Sequence, residues 1–386
     1  MIQNVQKDIA KKVALASCAE YNEKSVLEKM RQLVIDAPPP SVEGKIVLLK
    51  PNILSPKKPE FAICTHPVVV AAAVKVFLEL GAKKVFVGES PAVAPSLVAA
   101  KASGMLEAIE KAGAEWVDFS EMQTLHFEDG KLIKSIDFAK PFFEADLVVS
   151  LSKLKSHQLM AYTGAMKNLF GLVVGLNKAQ MHYRFSDKND FSKYLTDLVV
   201  ASGSRYAIMD AIVGMDGPGG PGNGDPVPLG FLAASQNLLA LDWTCASMVG
   251  YKPQDILNLS DAMSRGLWLK DASEIELVGE TVESIGQLQF RTVTETSGLT
   301  SLQKMLPDWV NGLAKKIFVK TPAFQHSTCI RCGRCIEICP PQTLSFEDDE
   351  KSKWQKKVVI DKTDCIHCFC CHEICPVDAI QLKRFQ

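Results

Sequence analysis

Two stretches near the C-terminus share one spacing, Cys329-x2-Cys332-x2-Cys335-x3-Cys339-Pro340 and Cys365-x2-Cys368-x2-Cys371-x3-Cys375-Pro376. Eight thiols in this doubled pattern constrain the local fold severely, because a short chain must wrap around whatever the sulfurs bind. Nine of the twelve cysteines follow residue 328, which is not how a disulfide framework is spread. The clustering predicts metal in a reducing compartment, the cytoplasm. Zinc needs only four thiolates per site and gives no reason to repeat a four-cysteine run with a proline after each. The spacing predicts two [4Fe-4S] clusters. The second run, CIHCFCCHEICP, holds five cysteines, and spacing names the extra one. Only Cys371 stands three residues after Cys368 and four before Cys375, so Cys370 is spare, a small apolar residue beside a cluster.

Both runs resemble the bacterial ferredoxin pattern. In two-cluster ferredoxins the fourth cysteine of each run binds the other cluster. The resemblance therefore implies one cluster on Cys329, Cys332, Cys335 and Cys375, and another on Cys365, Cys368, Cys371 and Cys339. Between the runs, TLSFEDDEKSKWQKKVVID reads as a hairpin with a charged tip, longer than minimal ferredoxins carry. A small α+β ferredoxin-like domain is expected over residues 326–386.

The preceding residues read differently. NEKSVLEKMRQLV has helical spacing and is stopped by APPP; the apolar run KIVLLK follows, closed by Pro51-Asn52. Pro67 opens a helix that Gly81 ends, and KVFVG is the next strand. A helix around residues 97 to 112 and strands at AEWVDF, ADLVVSLS, YAIMDAIVG and IELVGE extend the alternation, and ALDWTCASMVG reads as a helix with Asp242 as N-cap. The expected fold is α/β over residues 1–285, a largely parallel sheet with helices on both faces. Residues 286–325 read as a docking helix and linker, with Leu302, Met305, Trp309 and Leu313 at helical spacing.

A formal net charge of -1 gives no electrostatic reason to expect nucleic acid or an anionic membrane as partner. KKVALASCAEY superficially resembles a lipoprotein cleavage site, but Val13 to Ser17 is shorter than the ~7 to 15 apolar residues of a secretory segment. A buried first strand accounts for the same letters. No window approaches the ~18 uncharged apolar residues of a membrane span.

GPGGPG at 217 to 222 formally satisfies G-x-G-x-x-G after a strand. Two prolines remove N–H groups, and NGDPVPLG continues as loop where a helix should receive pyrophosphate, so a dinucleotide is not expected. SLSKLKSHQLMAYTGAMKNLFG is more informative. If the strand begun at Ala145 runs on, Lys153, Lys155 and His157 project to one side at the carboxyl end, where open α/β sheets bind ligands. Lys167 and Asn168 follow, and Lys50, Asn52 and Asp210 end other strands; Glu89 is a weaker candidate. The ordinary alternative is a solvated strand end with surface lysines.

KPN at 50 to 52, KLKSH at 153 to 157, TGAMKNLFG at 163 to 171 and DAIVGMDGPG from 210 resemble the family of domains of unknown function numbered 362, often joined to a C-terminal ferredoxin module. The resemblance implies anaerobic microbial metabolism and iron–sulfur clusters, without a reaction or catalytic residues. Two functions are expected from the residues. One is a reductase passing electrons from a low-potential donor such as ferredoxin, through both clusters, to a small anionic substrate. There Lys50, Asn52, Lys153, Lys155, Asn168 and Asp210 would bind, and His157 and Lys167 would act in catalysis. The other is a non-catalytic electron carrier whose α/β domain docks a partner enzyme through its lysines. A flavin is compatible with the first, but no fingerprint for one is visible.

Overall fold

The computed structural model describes residues 9–293, 320–350 and 354–383. The helix expected from Leu302, Met305, Trp309 and Leu313 lies outside the described residues.

The larger part is α/β. Its elements in chain order are β1 (Lys12–Ser17), α1 (Glu23–Asp36), β2 (Ile46–Pro51), α2 (Pro67–Glu79), β3 (Lys84–Val87), α3 (Ser96–Ala102), α4 (Met105–Ala112), β4 (Glu115–Trp116), β5 (Met122–His126), β6 (Ser135–Ala139), β7 (Leu147–His157) and β8 (Ala161–Thr163). They continue with α5 (Ala165–Asn168), α6 (Asn177–Arg184), α7 (Lys188–Ser202), β9 (Tyr206–Asp216), β10 (Asp225–Ser235), α8 (Leu238–Met248), α9 (Leu257–Arg265) and β11 (Glu276–Gly279). A nine-stranded sheet runs β11-β1-β10-β9-β7-β2-β3-β4, with β8 paired to β7. The pairs along β9-β7-β2-β3-β4 are parallel, β8 folds back antiparallel on β7, and β10 is inserted antiparallel between β1 and β9.

Strand alternation divides the core in two. On β7 and β9, Val149, Leu151, Ile208 and Ile212 face one side, where Met30 of α1 and Val70 and Phe77 of α2 cover them. Val148, Leu154, Met209 and Ala211 face the other, under Met166 of α5, Leu198 of α7 and Leu241 of α8. Burial on both faces explains why β7 lacks an exposed residue along its length, and each large apolar side chain buried this way contributes about 1.5–3 kcal/mol.

Three expectations need correction. The helix foreseen over residues 97 to 112 is two, α3 and α4, separated by Gly104 in a left-handed conformation (φ 70°) that breaks the helical path. NGDPVPLG is not all loop: β10 starts at Asp225 and returns antiparallel to β9. Asp242 does not cap its own helix, because α8 begins four residues earlier, at Leu238, behind Asn237, whose side chain accepts from Ala240 N. Asp242 instead accepts from Ala165 N (2.6 Å) and Met166 N (2.9 Å), satisfying the free amides that open α5.

The C-terminal unit pairs Thr321–Phe324 with Ile380–Lys383, and Leu344–Asp348 with Lys356–Ile360, the expected hairpin. Its two cysteine runs are near-copies in space. Arg331 and His367 both sit at left-handed φ (54° and 53°), as do Gly333 and Phe369 (77° and 63°), and each run ends in a short helix, Arg334–Glu337 or Cys370–Ile374. Phe369 adopts without glycine's freedom what Gly333 adopts easily, and its ring is buried in the core cluster of the α/β part. The second run thus sends an aromatic ring into the core of the larger domain.

Candidate functional site

A lysine cannot be buried as a charge without partners, so the lysines at the carboxyl ends of the strands must be accounted for individually. Lys50, Lys153 and Lys155 are each only 1% exposed. Lys153 donates to Asp210 (2.9 Å) and to the Tyr21 hydroxyl (2.6 Å); Asp210 also accepts from Tyr21 (3.0 Å) and His66 N (2.9 Å). Burial pulls the Lys153 ammonium downward in pKa, and Asp210 pulls it back. Lys50 is paired with Glu89 and donates to Asn168 Oδ1 (3.0 Å). Gly171 lets the chain pass directly over this pair, where any side chain would collide with Lys50 and Glu89. Asn168 returns its amide to Lys50 O (2.9 Å) and Ser150 Oγ (3.0 Å), and accepts from Asn52 Nδ2 (3.2 Å). Lys155 donates to Asn52 Oδ1 (2.7 Å) and Ile63 O (2.7 Å), and burial holds it down at about 7. Lys50, Asn52, Lys155 and Asn168 are therefore one connected network. Lys153 and Asp210 form a separate ion pair beside it.

His157 ends β7. Its Nδ1 accepts from Leu159 N (3.1 Å) and Met160 N (3.2 Å), which leaves the proton on Nε2 and, with burial, keeps the ring neutral well below its ordinary pKa. Nε2 faces Glu373 Oε1 at 3.5 Å. Glu373 comes from the C-terminal unit, between Cys371 and Cys375. It is the side chain that joins the two domains at this site. Its Oε1 is buried without a hydrogen bond, and burial pushes the carboxyl up to about 7 against the pull of Lys167 and Lys155. Lys167, partly exposed, forms no hydrogen bond or ion pair among the described residues, although it lies within electrostatic reach of Glu373 and Cys370. An unpaired acceptor, an unpaired ammonium and an imidazole N–H thus converge at one junction.

The GPGGPG loop seals this junction. Asn223 Nδ2 donates to His372 O (3.1 Å), Gln158 N to Gly220 O (3.1 Å), and a side chain on Gly222 would strike Glu373 O. Apolar contact completes the joint: Cys370, Ile374 and Ile338 pack on Ala179 of α6, with Ala92 and Val93 beside them.

The thiols gather in two cavities. One is lined by Cys329, Cys332, Cys335 and Cys375; the other by Cys339, Cys365, Cys368 and Cys371, with Cys370 on its wall. These are the two quartets implied by the ferredoxin spacing. Burial and the neighbouring Cys329, Cys332 and Cys375 push Cys335 up to about 12, so four thiolates here need compensating positive charge. No three His, Cys, Asp or Glu side chains among the described residues are placed to hold a single metal ion, and each quartet instead lines a small cavity. Ala379 N donates to Cys375 Sγ (3.1 Å), a bond of the kind that tunes a cluster.

Sequence reading missed Glu373, Tyr21 and Lys178; Lys178, held at about 7 by burial, donates to Ser90 O beside Glu89 and Lys50. A signal for Glu373 existed. Both runs carry Glu two residues after the third cysteine, yet Glu337 is exposed and Glu373 is not, because Glu373 is turned toward His157 of the α/β domain.

Acid should weaken this region. His182 on α6 stacks on Phe191 (4.2 Å), and burial with Lys167 holds it at about 3. The unfolded chain binds a proton there below roughly pH 6.5 and the fold does not, so stability is complete above that pH and falls by about 1.4 kcal/mol per unit below it. Urea unfolding at pH 7.5 and 5.5 measures the loss, and His182→Phe should lessen it. Equal losses in both proteins would exonerate His182.

Residues 47–247 match the family model described as Domain of unknown function (DUF362), and residues 328–379 match the 4Fe-4S dicluster domain. A thylakoid-associated protein of Synechocystis sp. is 32% identical over 263 residues, 67% of this chain and 81% of that one. The lactate racemase apoprotein of Thermoanaerobacterium thermosaccharolyticum overlaps 61% of this chain and 57% of its own, at 15% identity and a TM-score of 0.39. Among the described residues no helix is long and apolar enough to cross a membrane.

Proposed function

We propose that this chain, which belongs to the DUF362 family, is an iron–sulfur oxidoreductase that reduces a small anionic molecule held at the junction of its two domains. The observation that carries this reading is Glu373. A side chain from the short helix between two cluster-type cysteines is built into the α/β site, 3.5 Å from His157, so redox module and candidate site are one unit. A carrier that merely docked a partner would present its lysines on an open face, and Lys50, Lys153 and Lys155 are buried.

The quartet Cys329, Cys332, Cys335 and Cys375 would hold one [4Fe-4S] cluster and the quartet Cys339, Cys365, Cys368 and Cys371 the other. Each such centre takes up and gives one electron, so two serve a two-electron reduction. The chain's own residues divide the remaining work. Lys167, whose ammonium has no hydrogen bond or ion pair among the described residues and is eased downward in pKa by burial, binds the anion and can release a proton to it. His157, neutral with its proton on Nε2, orients the molecule as a hydrogen-bond donor. Lys50, Asn52, Lys155 and Asn168 brace the floor beneath, while Lys153 and Asp210 hold β7 against β9. A cytoplasmic low-potential carrier of the ferredoxin class would supply the electrons, as suits anaerobic metabolism.

Mass spectrometry of small molecules released from anaerobically purified protein tests the reading. One anionic compound should be retained by the wild type, be lost from Lys167→Ala, and be converted only when the protein is reduced. A protein that assembles its clusters, retains nothing and passes electrons only to other proteins would be an electron carrier, and the reductase reading would be wrong.

A further inference from the structure

Three parallel strands at the centre of the sheet each begin directly behind a charged residue: Lys45 precedes β2, Asp146 precedes β7 and Arg205 precedes β9. These strands are neighbours, paired from Val47 with Leu147 and from Val149 with Tyr206, so the three residues meet at the amino end of the sheet. The junction with the C-terminal unit lies at the other end, where β7 closes on His157. With Ser41, Phe142 and Phe143, the three residues line a cavity of about 410 Å³, a size within the roughly 300–1,000 Å³ of small-molecule sites. Charge in this cavity is unbalanced. Asp146 spends one carboxylate oxygen on Ile46 N (2.8 Å), and no ion pair joins it to Lys45 or Arg205 among the described residues. Glu43, the nearest acid along the chain from Lys45, is turned instead toward Gly81, where a side chain would strike its carboxylate. Lys45 is exposed and donates only to a neutral carbonyl, Ser41 O (2.8 Å). Arg205 is half-buried and forms no hydrogen bond or ion pair among the described residues, and its Nε is shielded from water without an acceptor. Such an N–H is costly to leave unmet.

We propose that this cavity binds a small organic oxyanion, a carboxylate or phosphate monoester carried on a ring. Arg205 supplies the planar fork that matches two oxygens of either group, and Lys45 adds a second positive charge at the rim. The half-buried rings of Phe142 and Phe143, 5.1 Å apart and nearly perpendicular (88°), offer a face and an edge to the body of the ligand. The site shares no residue with the junction and stands whether or not a substrate is reduced there.

Isothermal titration calorimetry of the anaerobically prepared full chain tests the site with phenyl phosphate, benzoate and inorganic phosphate. At least one ring-bearing probe should bind with a Kd below about 1 mM, and should bind equally to Lys167→Gln, whose substitution lies at the junction. Whichever of the two binds tighter identifies the group that the fork serves. Arg205→Gln should weaken that binding by at least about tenfold, the loss of a charge-assisted bond, and Arg205→Lys should restore only part of it for want of the fork. Phe143→Ala should weaken the ring-bearing probe, and inorganic phosphate should bind more weakly than phenyl phosphate throughout. Binding that is lost in Lys167→Gln and kept in Arg205→Gln belongs to the junction and would overturn the proposal. Should Arg205→Gln not fold, Lys45→Glu decides, because it reverses an exposed charge at the rim and should weaken binding clearly. Unchanged affinity in Lys45→Glu, or no binding of either ring-bearing probe to the wild type, would sink the idea.

Discussion

Cys370→Ser should retain the iron and acid-labile sulfide of the wild type, whereas Cys371→Ser should lose about half of each or convert one cluster to a form with less iron. The two cysteines are adjacent, similarly buried and both on the wall of one cavity, so proximity alone does not separate them. Two arguments do. The spacing of the first run maps Cys335 onto Cys371 and Arg334 onto Cys370, and an arginine cannot ligate iron. Cys370 also packs at the joint with the α/β domain, on Ala179, Ile338 and Ile374, whereas Cys371 is turned inward among Leu344, Val358 and Ile380 of the C-terminal unit. Serine at 370 would bury a hydroxyl among these groups and cost about 1–3 kcal/mol without removing a ligand. Iron and sulfide assays on anaerobically prepared protein measure the outcome, and equal losses in the two variants would overturn the ligand assignment.

Different parts of this molecule were legible in the sequence to different degrees, for physical reasons. Local rules reached local facts: the APPP that stops α1, Pro67 at the start of α2 and the thiol spacing each state their structure within a few residues. The alternation along β7 also held, with Lys153 and Lys155 opposite Leu154, since side-chain direction in a strand is local. Partnership is not local. Nothing near Lys153 foretells Asp210 on the next strand or Tyr21, 132 residues away. Asp242 looked like a cap and is one, but for α5 rather than α8. Glu373 eluded reading because its role depends on how one domain meets another, and the equivalent Glu337 shows that the same motif position carries no such role elsewhere. GPGGPG was rightly denied a helix to follow it, yet its use as a seal between domains could not be read from its letters.

Asp210→Ala should destabilise the protein by about 3–5 kcal/mol, because it leaves the Lys153 ammonium buried without its counter-charge and frees His66 N and the Tyr21 hydroxyl from their acceptor. Against a typical total of about 5–15 kcal/mol, that is enough to unfold a marginal protein. Lys153→Met should be costly for the complementary reason, a buried carboxylate kept only by hydrogen bonds. The double variant Lys153→Met with Asp210→Leu removes both charges together and should recover most of the loss, since a buried ion pair often stands close to even with apolar residues of similar size. Urea unfolding under anaerobic conditions gives the three values, and their non-additivity is the coupling between the partners. The comparison also separates architecture from binding. If Lys153 and Asp210 served a substrate rather than each other, the single variants would keep their stability and lose the retained compound. With the pair acting as a strut between β7 and β9, the double variant should fold, assemble its clusters and still bind at Lys167.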